Sequence, residues 1–513
     1  MTPDDPKPQI SLEEMRARME SRRQAAEAQA APEAQPIDSE FLWRCCNDQE
    51  EGDGHLFSRM HEGRFMYNAS SGEWMRWSGH HWELDVMQES TSAVRDVADA
   101  YAKETVAIQA QIVATDNEKD RDTLEFRRKA MSTRVQRLKT SRGRRACLEF
   151  AATSRHSTLA VRGDDFDSDP WLLGCANCVI DLRTGETRPG SRDDLITKAS
   201  PVEWRGLDEP APLWEKAVLE ILNNRQDGVD YLQKLFGYAV TGLTTEPALP
   251  ILWGKGRNGK TVIVEMISQA IGPLAGPINS AMLLDTGPRS AAGPSPDVMG
   301  LRGMRMVFAS ETDQGQKISP SRVKWFTGSD SLVGRNPHDR HETRFRPSHT
   351  LFLLTNHEPR TPPGGDYALW ERMHMVPFEL SFVDREPRDD SERRSDKELL
   401  PKLREELPGI LAWLVRGCLL WQRDGLQKPQ FILDATEAYR RSEDMIEDFI
   451  EDVCIIDPAA ETSSADLYER FSEWWESNVS KRVPTQNSFG RMMKGKYKKE
   501  KRGIYRYLGI RLK

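Results

Sequence analysis

The stretch that decides the fold covers residues 249–265 and reads LPILWGKGRNGKTVIVE. In it an apolar run, a glycine-rich loop and a run with helical spacing follow one another, and residues 254–261 match the phosphate-loop pattern G-x-x-x-x-G-K-T. A glycine-rich turn could match this pattern by accident, but the strand before it and the helix after it favour a phosphate loop. The stretch therefore predicts an α/β domain that binds a nucleoside triphosphate.

The residue types of the loop fit phosphate chemistry. Glycine allows the backbone conformations in which successive N–H groups converge on phosphate oxygens, and the amino end of the following helix adds a positive partial charge. We expect Lys260 to reach the β and γ phosphates and Thr261 to hold Mg²⁺, so the expected cofactors are ATP and Mg²⁺. The predicted nucleotide-binding residues are Gly254, Gly256, Asn258, Gly259, Lys260 and Thr261.

The length and the charge distribution of the chain limit the number of domains and indicate the kind of partner. The 513 residues leave room for about three domains, each with its own core. The formal net charge is -8, yet residues 481–513 carry twelve Lys or Arg side chains and one acidic residue. An acidic body with a basic end is expected of a protein in which one module contacts a polyanion.

Cysteine usage and hydropathy indicate the compartment. The seven cysteines are odd in number and scattered, which favours a reducing cytosol over a disulfide framework. No apolar stretch reaches the length of a membrane span, and the first residues, MTPDDPKPQ, lack the apolar core of a signal peptide. We therefore predict a cytoplasmic protein without membrane association.

Composition and periodicity divide the chain into segments. Residues 1–39 are rich in Pro, Ala, Glu and Gln and are predicted to form a mostly disordered arm. Short aromatic runs between residues 64 and 82 predict a small antiparallel sheet, and apolar positions every three or four residues between 85 and 152 predict two or three helices. Residues 444–513 are predicted to hold three short helices and a terminal strand with a basic excess, which suggests a winged helix.

Two weaker signals lie between residues 164 and 178. Aspartates at 164, 165, 167 and 169 could form the two-metal site of a polymerase or nuclease, because that chemistry needs convergent carboxylates. The neighbouring Gly163 and Pro170 instead favour a solvated loop with turn-forming aspartates. Cys175 and Cys178 could bind a metal or act in redox chemistry, but no second Cys or His pair lies at zinc spacing, so we interpret them as buried packing residues.

Three residues downstream of the loop could complete an ATPase site. Glu311 follows one apolar run and is the candidate for the carboxylate that holds Mg²⁺-bound water and polarises the attacking water. Asn356 follows another apolar run and could orient that water, and Arg372 could provide a cation to an adjacent subunit. Each residue has an alternative explanation, such as a helix cap for Glu311 or a turn for Asn356. Their order after the loop favours an active site.

Four segments together resemble a known family. The segments GKGRNGKT, LRGMRMVFASETD, VKWFTGSDSLVGRNPHDRHETRFRPSHTLFLLTNHEPR and DYALWERMHMVPF resemble the superfamily 3 helicase domain of the poxvirus and phage/plasmid primase–helicase family. Upstream, DPWLLGCANCVIDLRTGETRP resembles the end of its helicase-associated N-terminal region. Downstream, ELPGILAWLVRGCLLW and DLYERFSEWW resemble its collar helices and its winged helix. The resemblance covers roughly residues 41–513.

The resemblance implies a fold and a domain order. The implied fold is α/β, with an AAA+ phosphate-loop ATPase domain, a mainly helical N-terminal domain, a helical collar and a C-terminal winged helix. The expected domains are a disordered arm at 1–39, a helicase-associated N-terminal domain at 40–205, a helical collar at 206–245, the AAA+ superfamily 3 helicase domain at 246–385, a helical subdomain at 386–443 and a basic winged-helix-like domain at 444–513.

The resemblance also implies roles for single residues. It implies that Lys260 and Thr261 bind the nucleotide. It makes Glu311 the Walker B acid, Asn356 the sensor and Arg372 the arginine finger.

The chain departs from the family's pattern in places. Ser310 stands where many superfamily 3 helicases have a second acid, so one carboxylate would do both jobs. Cys178 follows Asn177 where the family usually has glycine. The finger context is Trp-Glu-Arg rather than Trp-Arg-Arg, which leaves Arg360 as an alternative to Arg372.

Members of this family move on single-stranded DNA with a hairpin that projects into the pore of a ring, usually a hexamer. The corresponding stretch lies between residues 324 and 346. Basic groups there suit sequence-independent and salt-sensitive tracking of phosphates, and a solvated charged loop is the alternative. The predicted DNA-binding residues are Arg335, Arg340, His341 and Arg344.

The leading hypothesis is an ATP-dependent replicative DNA helicase of a phage, plasmid or integrated element. The expected partners are single-stranded and forked DNA, further copies of this chain in a hexamer, and a separate primase or polymerase, since only about 40 residues precede the aromatic segment. One alternative is a replication initiator or loader whose ATPase controls assembly. Another is an AAA+ remodeller of proteins, against which the basic character of the predicted pore hairpin argues.

Overall fold

The computed structural model describes residues 37–155, 157–285, 295–310, 317–337, 342–357, 359, 367–442, 445–479, 481, 483–493, 496–502 and 504–513. Within these ranges the chain is a mixed α/β protein of two compact units. Unit 1 comprises residues 37–76 and 84–161, and unit 2 comprises residues 77–83 and 162–513. Most of the predicted arm and the predicted site residues Glu311, Arg340 and His341 lie outside the described residues, as does Arg360.

The elements up to residue 161 are mainly helical. In chain order they are α1 (Ser39–Asn47), α2 (Gln49–Met60), β1 (Phe65–Asn68), β2 (Glu73–Trp77), β3 (Trp82–Leu84), α3 (Glu89–Ala114), α4 (Glu118–Leu138), α5 (Ser141–Thr153) and β4 (Ala160–Val161). Strand β1 pairs antiparallel with β2, so that Tyr67 lies opposite Trp74, and parallel with β4. The antiparallel pair confirms the sheet predicted from the aromatic runs, and α3 to α5 confirm the predicted helices.

Local hydrogen bonds fix where the helices of unit 1 begin. The Asp85 carboxylate accepts hydrogen bonds from the backbone N–H groups of Glu89 (2.7 Å) and Ser90 (2.8 Å), two donors that helical bonding leaves unsatisfied at the start of α3. The Thr140 hydroxyl accepts from the N–H of Gly143 at 3.0 Å and caps α5 in the same way. These caps orient α3 and α5 so that their apolar faces meet in a core that includes Val94.

The elements after residue 161 form a longer series. In chain order they are β5 (Leu172–Gly174), β6 (Val179–Asp181), β7 (Thr187–Arg188), α6 (Pro212–Ile221), α7 (Gln226–Thr241), β8 (Leu249–Trp253), α8 (Lys260–Ile271), β9 (Ala275–Ile278), α9 (Pro296–Met299), β10 (Met306–Ser310), α10 (Pro320–Thr327), β11 (Leu332–Gly334), β12 (Thr343–Phe345), β13 (Thr350–Thr355), α11 (Tyr367–Arg372), β14 (Met373–Pro377), β15 (Ser381–Val383), β16 (Glu392–Arg394), α12 (Leu399–Glu405), α13 (Leu407–Asp424), α14 (Gln430–Ser442), α15 (Met445–Val453), β17 (Cys454–Ser463), α16 (Ser464–Asn478), α17 (Gln486–Met493), β18 (Lys499–Arg502) and β19 (Ile504–Leu512).

A parallel sheet forms the centre of unit 2. Among the described residues its strand order is β14-β8-β13-β10-β9, and every neighbouring pair is parallel. All six residues of β13 are buried, as expected for a parallel strand that helices cover on both faces. Because the strands share one direction, their carboxyl ends form one edge of the sheet, where open α/β sheets bind ligands. Helix α8 begins at that edge, directly after the loop that follows β8.

Helices α7 and α13 cross closely beside the sheet. A Cβ atom built on Gly237 of α7 would lie 2.1 Å from the backbone N of Cys418, and one built on Gly417 of α13 would lie 2.1 Å from the carbonyl oxygen of Gln233. Two backbones can approach this closely only where neither residue has a side chain. The crossing fixes the position of α7, which leads directly into β8.

We expect Gly237→Ala to destabilise unit 2 by about 3 kcal/mol or more, because the added methyl group meets backbone that cannot move aside locally. Thermal unfolding monitored by circular dichroism measures the effect. Gly490→Ala is the matched control, because that glycine lies inside α17 and alanine favours helix. Among the described atoms, its Cβ would meet the Tyr507 hydroxyl at 3.8 Å, which is an ordinary contact distance. Equal melting temperatures for the two variants would contradict the close crossing.

The aspartate-rich segment before β5 forms turns. The Asp167 carboxylate accepts from the backbone N–H of Thr197 at 2.7 Å, and Asp169 accepts from that of Trp171 at 2.9 Å. These two hydrogen bonds agree with the interpretation of the segment as a turn. Cys175 is buried as predicted, while Cys178 is only half-buried.

The C-terminal segment contains more strands than predicted. Helices α15, α16 and α17 match the three predicted helices, and β19 matches the predicted terminal strand. Strands β17 and β18 were not predicted; both pair antiparallel with β19, in the order β17-β19-β18. Phe449, Phe471 and Phe489 meet at the centre of the small core beneath this sheet. In the described part of the chain no helix is long and apolar enough to cross a membrane.

Candidate active site

The loop between β8 and α8 has the backbone conformation of an anion cradle. Gly256, Arg257 and Gly259 have φ values of 93°, 51° and 83°, in the left-handed region. Left-handed residues in a tight loop turn successive backbone N–H groups toward one side, which creates a site for phosphate oxygens. Gly254 fastens the loop to the sheet, because its N–H donates to the carbonyl oxygen of Thr355 at 3.2 Å.

Lys260 is the central side chain of the site. It is the first residue of α8, and its Nζ donates to the carbonyl oxygen of Gly254 at 2.6 Å and to Oδ1 of Asn356 at 3.1 Å. The structure therefore brings together two residues that are 96 positions apart and that the sequence analysis placed in one active site. Asn356 follows β13 immediately, and the parallel pairing of β13 with β8 puts it beside the loop.

The polar groups of the loop suit a bound phosphate. Lys260 is 5% exposed, and desolvation lowers the pKa of its ammonium group to about 8. The Nδ2 atom of Asn258 is buried and has no hydrogen-bond partner among the described residues. A buried cation and an unsatisfied donor beside converging N–H groups both gain from an anion. The exposed hydroxyl of Thr261, one residue further along α8, is available to a cation bound to that anion.

The lowered pKa of Lys260 gives a testable pH dependence. Phosphate binds the protonated ammonium form, and binding therefore weakens as that form is lost above about pH 8, by up to about tenfold per pH unit. Titration of a fluorescent ATP analogue between about pH 7 and pH 9.5 measures this loss. Lys260→Arg stays charged throughout and is expected to show a flat profile. A decline of the same size in both proteins would contradict the role of Lys260.

Two of the remaining predicted positions are Glu311, which comes after β10 in the sequence, and Arg372, which comes directly before β14. Strand β10 ends at Ser310, which pairs with Leu354, so the chain leaves β10 at the same edge as the phosphate loop. Glu311 comes next but is outside the described residues. Arg372 precedes β14, whose first residue, Met373, pairs with the first residue of β8. Arg372 therefore lies at the amino edge, a strand length of about 16 Å from the loop.

Arg372 has a defined local environment. Its Nη1 donates to the carbonyl oxygen of Ala368 at 2.7 Å, and its Nε is buried without a hydrogen-bond partner in the part of the chain that the structure describes. Within one copy of the chain, Arg372 does not reach Lys260. A contribution to catalysis would thus require the site of another subunit.

The predicted DNA-binding hairpin is present in its described part. Strands β11 and β12 pair antiparallel, with Val333 opposite Arg344. Arg344 is exposed, whereas Arg335 is half-buried and its backbone N–H and carbonyl oxygen both bond to Ser295. Arg340 and His341 lie outside the described residues.

Sequence reasoning missed two supports of the loop. The Thr355 hydroxyl accepts from the backbone N–H of His357 at 3.1 Å, which holds the turn that carries Asn356. The N–H of Phe382 in β15 donates to the carbonyl oxygen of Arg257 at 2.6 Å and ties the loop to a later strand. No motif signals Phe382, since its contribution is a backbone group. Thr355 could have been suggested by its place at a strand end.

The chain shows similarity to viral replication proteins. Residues 54–223 match the family described as D5 N terminal like. The chain is 25% identical over 443 residues to "Putative helicase L207/L206" of Acanthamoeba polyphaga mimivirus, which covers 82% of this chain and 45% of that protein. It is 24% identical over 388 residues to "Putative helicase 022R" of Frog virus 3 (isolate Goorha), and the match covers 62% of this chain and 40% of that protein. It is 23% identical over 334 residues to "Putative primase C962R" of African swine fever virus (isolate Tick/Malawi/Lil 20-1/1983), and the match covers 61% of this chain and 34% of that protein.

These matches support a relationship to D5-type primase–helicases. The chain spans less than half the length of these viral relatives. Among solved structures, the apo structure of the NrS-1 C terminal region (305-718) aligns over 90% of this chain and 99% of that one, at 10% identity and a TM-score of 0.47. A TM-score of this size is too low to carry a statement about fold or function.

Proposed function

We propose that the chain is an ATP-dependent DNA helicase that acts in replication. The observation that carries the proposal is the position of Lys260, whose ammonium group is buried at the carboxyl edge of a parallel sheet between a phosphate-type loop and Asn356. The similarity to viral proteins named as helicases and primases supports a role of this ATPase-type site in DNA replication.

Each residue of the site has a proposed task. Lys260 and the loop N–H groups hold the phosphates, Thr261 holds the metal ion, and Asn356 orients the attacking water. Glu311, the residue after β10 in the sequence, takes the role of the carboxylate that polarises this water. When bound, ATP supplies the phosphoryl group and Mg²⁺ neutralises part of its charge.

We further propose that the active site is completed between subunits of a ring, with six copies as the expected number. The position of Arg372 at the opposite edge of the sheet from the loop of its own chain supports a role at the nucleotide of a neighbouring subunit. The parallel sheet with its loop and sensor strand is assigned to the AAA+ class. The segment from α15 to β19 is assigned to a winged helix that adds a basic DNA contact.

A replication initiator or loader remains the second candidate, since it shares the ATPase site and the basic C-terminal segment. The two functions differ at the hairpin. A translocating enzyme needs the hairpin to convert ATP hydrolysis into movement along DNA, whereas a loader needs ATP hydrolysis for assembly alone.

We expect Arg344→Ala to reduce strand displacement on a forked duplex by about tenfold or more while ATP hydrolysis continues, because an exposed hairpin arginine contacts DNA and not ATP. Strand displacement and phosphate release are measured on the same samples. Arg388→Ala, at another exposed arginine of unit 2, is the control and should behave as wild type. If Arg344→Ala displaces the strand normally, the hairpin does not drive translocation and the helicase assignment fails.

A further inference from the structure

Unit 1 contains a cleft that the proposed helicase mechanism does not use. It has a volume of about 770 Å³, lies between the β1–β2 pair and α5, and falls in the size range of about 300–1,000 Å³ that is typical of ligand sites. One wall is aromatic and another is basic. The lining side chains that matter here are Tyr67, Trp74, Lys139, Arg144, Arg145 and Glu149.

The aromatic wall is built by a cross-strand pair. Tyr67 and Trp74 lie directly opposite each other on β1 and β2, with ring centroids 5.3 Å apart and ring planes at 56°. Phe57 supports Trp74 from the core side through an edge-to-face contact at 5.8 Å. Both rings of the pair are half-buried, so each keeps an exposed part of its surface in the cleft. A flat aromatic ligand can stack on such a wall.

The basic wall comes from the start of α5. Lys139 and Arg145 are exposed, and neither forms an ion pair with another described residue. Arg144 is half-buried, and its Nε donates to the carbonyl oxygen of Leu138 at 3.4 Å, which holds the guanidinium group at the cleft. The first turn of α5 adds the positive end of a 13-residue helix. Three cations and a helix amino end on one side of a cleft favour a phosphate there.

We propose that this cleft binds one nucleotide of single-stranded DNA, with the base against Tyr67 and Trp74 and a backbone phosphate against Arg144 and Arg145. Glu149 lies one turn after Arg145 on α5 and offers a carboxylate to an N–H group on the edge of the base. Stacking tolerates any base, because every base has a π face, so the site reads the single-stranded state rather than a sequence. The proposal does not depend on the ATP site.

Oligothymidylate binding to the full chain without nucleotide, followed by fluorescence anisotropy over a range of salt concentrations, tests the basic wall. Arg144→Glu with Arg145→Glu is expected to weaken binding by about tenfold and to lower the salt slope by about 0.7 for each DNA phosphate that the protein no longer neutralises. The control is Lys103→Glu with Lys119→Glu, which makes the same charge change at exposed positions of α3 and α4. Equally weakened binding in both double variants would overturn the proposal, because it would show a general charge effect.

Stacking is tested separately at Tyr67. Tyr67→Leu is expected to weaken binding by about fivefold to tenfold, whereas Tyr67→Phe keeps the ring and should bind as wild type. In wild-type protein, an oligonucleotide with 4-thiothymidine should crosslink to the peptide that contains Tyr67 or Trp74. Crosslinks confined to the hairpin and the C-terminal segment would overturn the proposal. If free thymidine monophosphate prevents the crosslink to this peptide but oligothymidylate does not, the cleft binds mononucleotides instead. That result would equally overturn the proposal.

Discussion

Replacement of Lys260 by alanine is expected to reduce ATP hydrolysis by about 10²–10³-fold, the loss seen when one charged or oriented donor is removed from a transition state. Lys260 is the buried cation of the loop, and its hydrogen bonds to Gly254 and Asn356 show that its Nζ reaches both sides of the cradle. The substitution removes the positive charge that is proposed to bind the ATP phosphates. DNA binding should persist, because the hairpin and the C-terminal segment are separate from the loop.

Lys255→Ala is the matched control for this experiment. Lys255 lies in the same loop and carries the same charge, but its side chain is exposed. ATP hydrolysis should stay close to wild type in this variant, and the melting temperatures of both variants should be compared to exclude unfolding. A similar loss of hydrolysis at Lys255 and at Lys260 would indicate that general loop charge, rather than the buried ammonium group, controls the reaction.

Arg372→Ala is expected to reduce ATP hydrolysis by about 10³-fold or more, the effect of removing an arginine finger. The reason is geometric: Arg372 lies at the amino edge of the sheet, away from the loop of its own chain, and in the proposed ring it would act on the site of a neighbouring subunit. Mixing Arg372→Ala with Lys260→Ala subunits should then restore activity. In a random equal mixture, about one quarter of the interfaces combine an intact Lys260 with an intact Arg372, so about one quarter of the wild-type rate is expected.

The mixing experiment separates catalysis from structure. Arg372 also bonds to the carbonyl oxygen of Ala368, and its loss could disturb α11. Arg372→Lys keeps the positive charge and tests whether the loss is structural. A fold defect would appear as a lower melting temperature of both Arg372→Ala and Arg372→Lys. If the mixture stays as inactive as its components, Arg372 does not act across an interface. Complementation by Arg360→Ala in its place would assign the finger to Arg360.

Local sequence predicted the loop and the central strands of the parallel sheet well. The glycine pattern placed the start of α8 at Lys260, and unbroken apolar runs placed β10 and β13, because parallel strands buried on both faces are continuous in apolar residues. The order of the motifs suggested that Lys260 and Asn356 belong to one site, and their contact is explained by parallel strands that end at one edge of the sheet.

Other features depend on tertiary pairing and have no local signal. Strand β17 contains Pro458 and charged residues, and its register with β19 shifts between Ile456 and Glu461, so its sequence lacks a clear alternation. It is an edge strand, where such irregularity is tolerated. The cleft of unit 1 joins Tyr67 with Arg144, and only the packing of α5 against the sheet brings them together.

We propose above that ATP hydrolysis by this chain separates DNA strands. The most direct measurement is displacement of a fluorescent strand from a forked duplex by the wild-type protein, with ATP, with a non-hydrolysable ATP analogue, and with ATP in the Lys260→Ala variant. We expect strand separation with ATP and wild-type protein, and an intact duplex in the other two reactions. A duplex that stays intact while wild-type protein hydrolyses ATP, or one that separates without hydrolysis, would contradict the proposal.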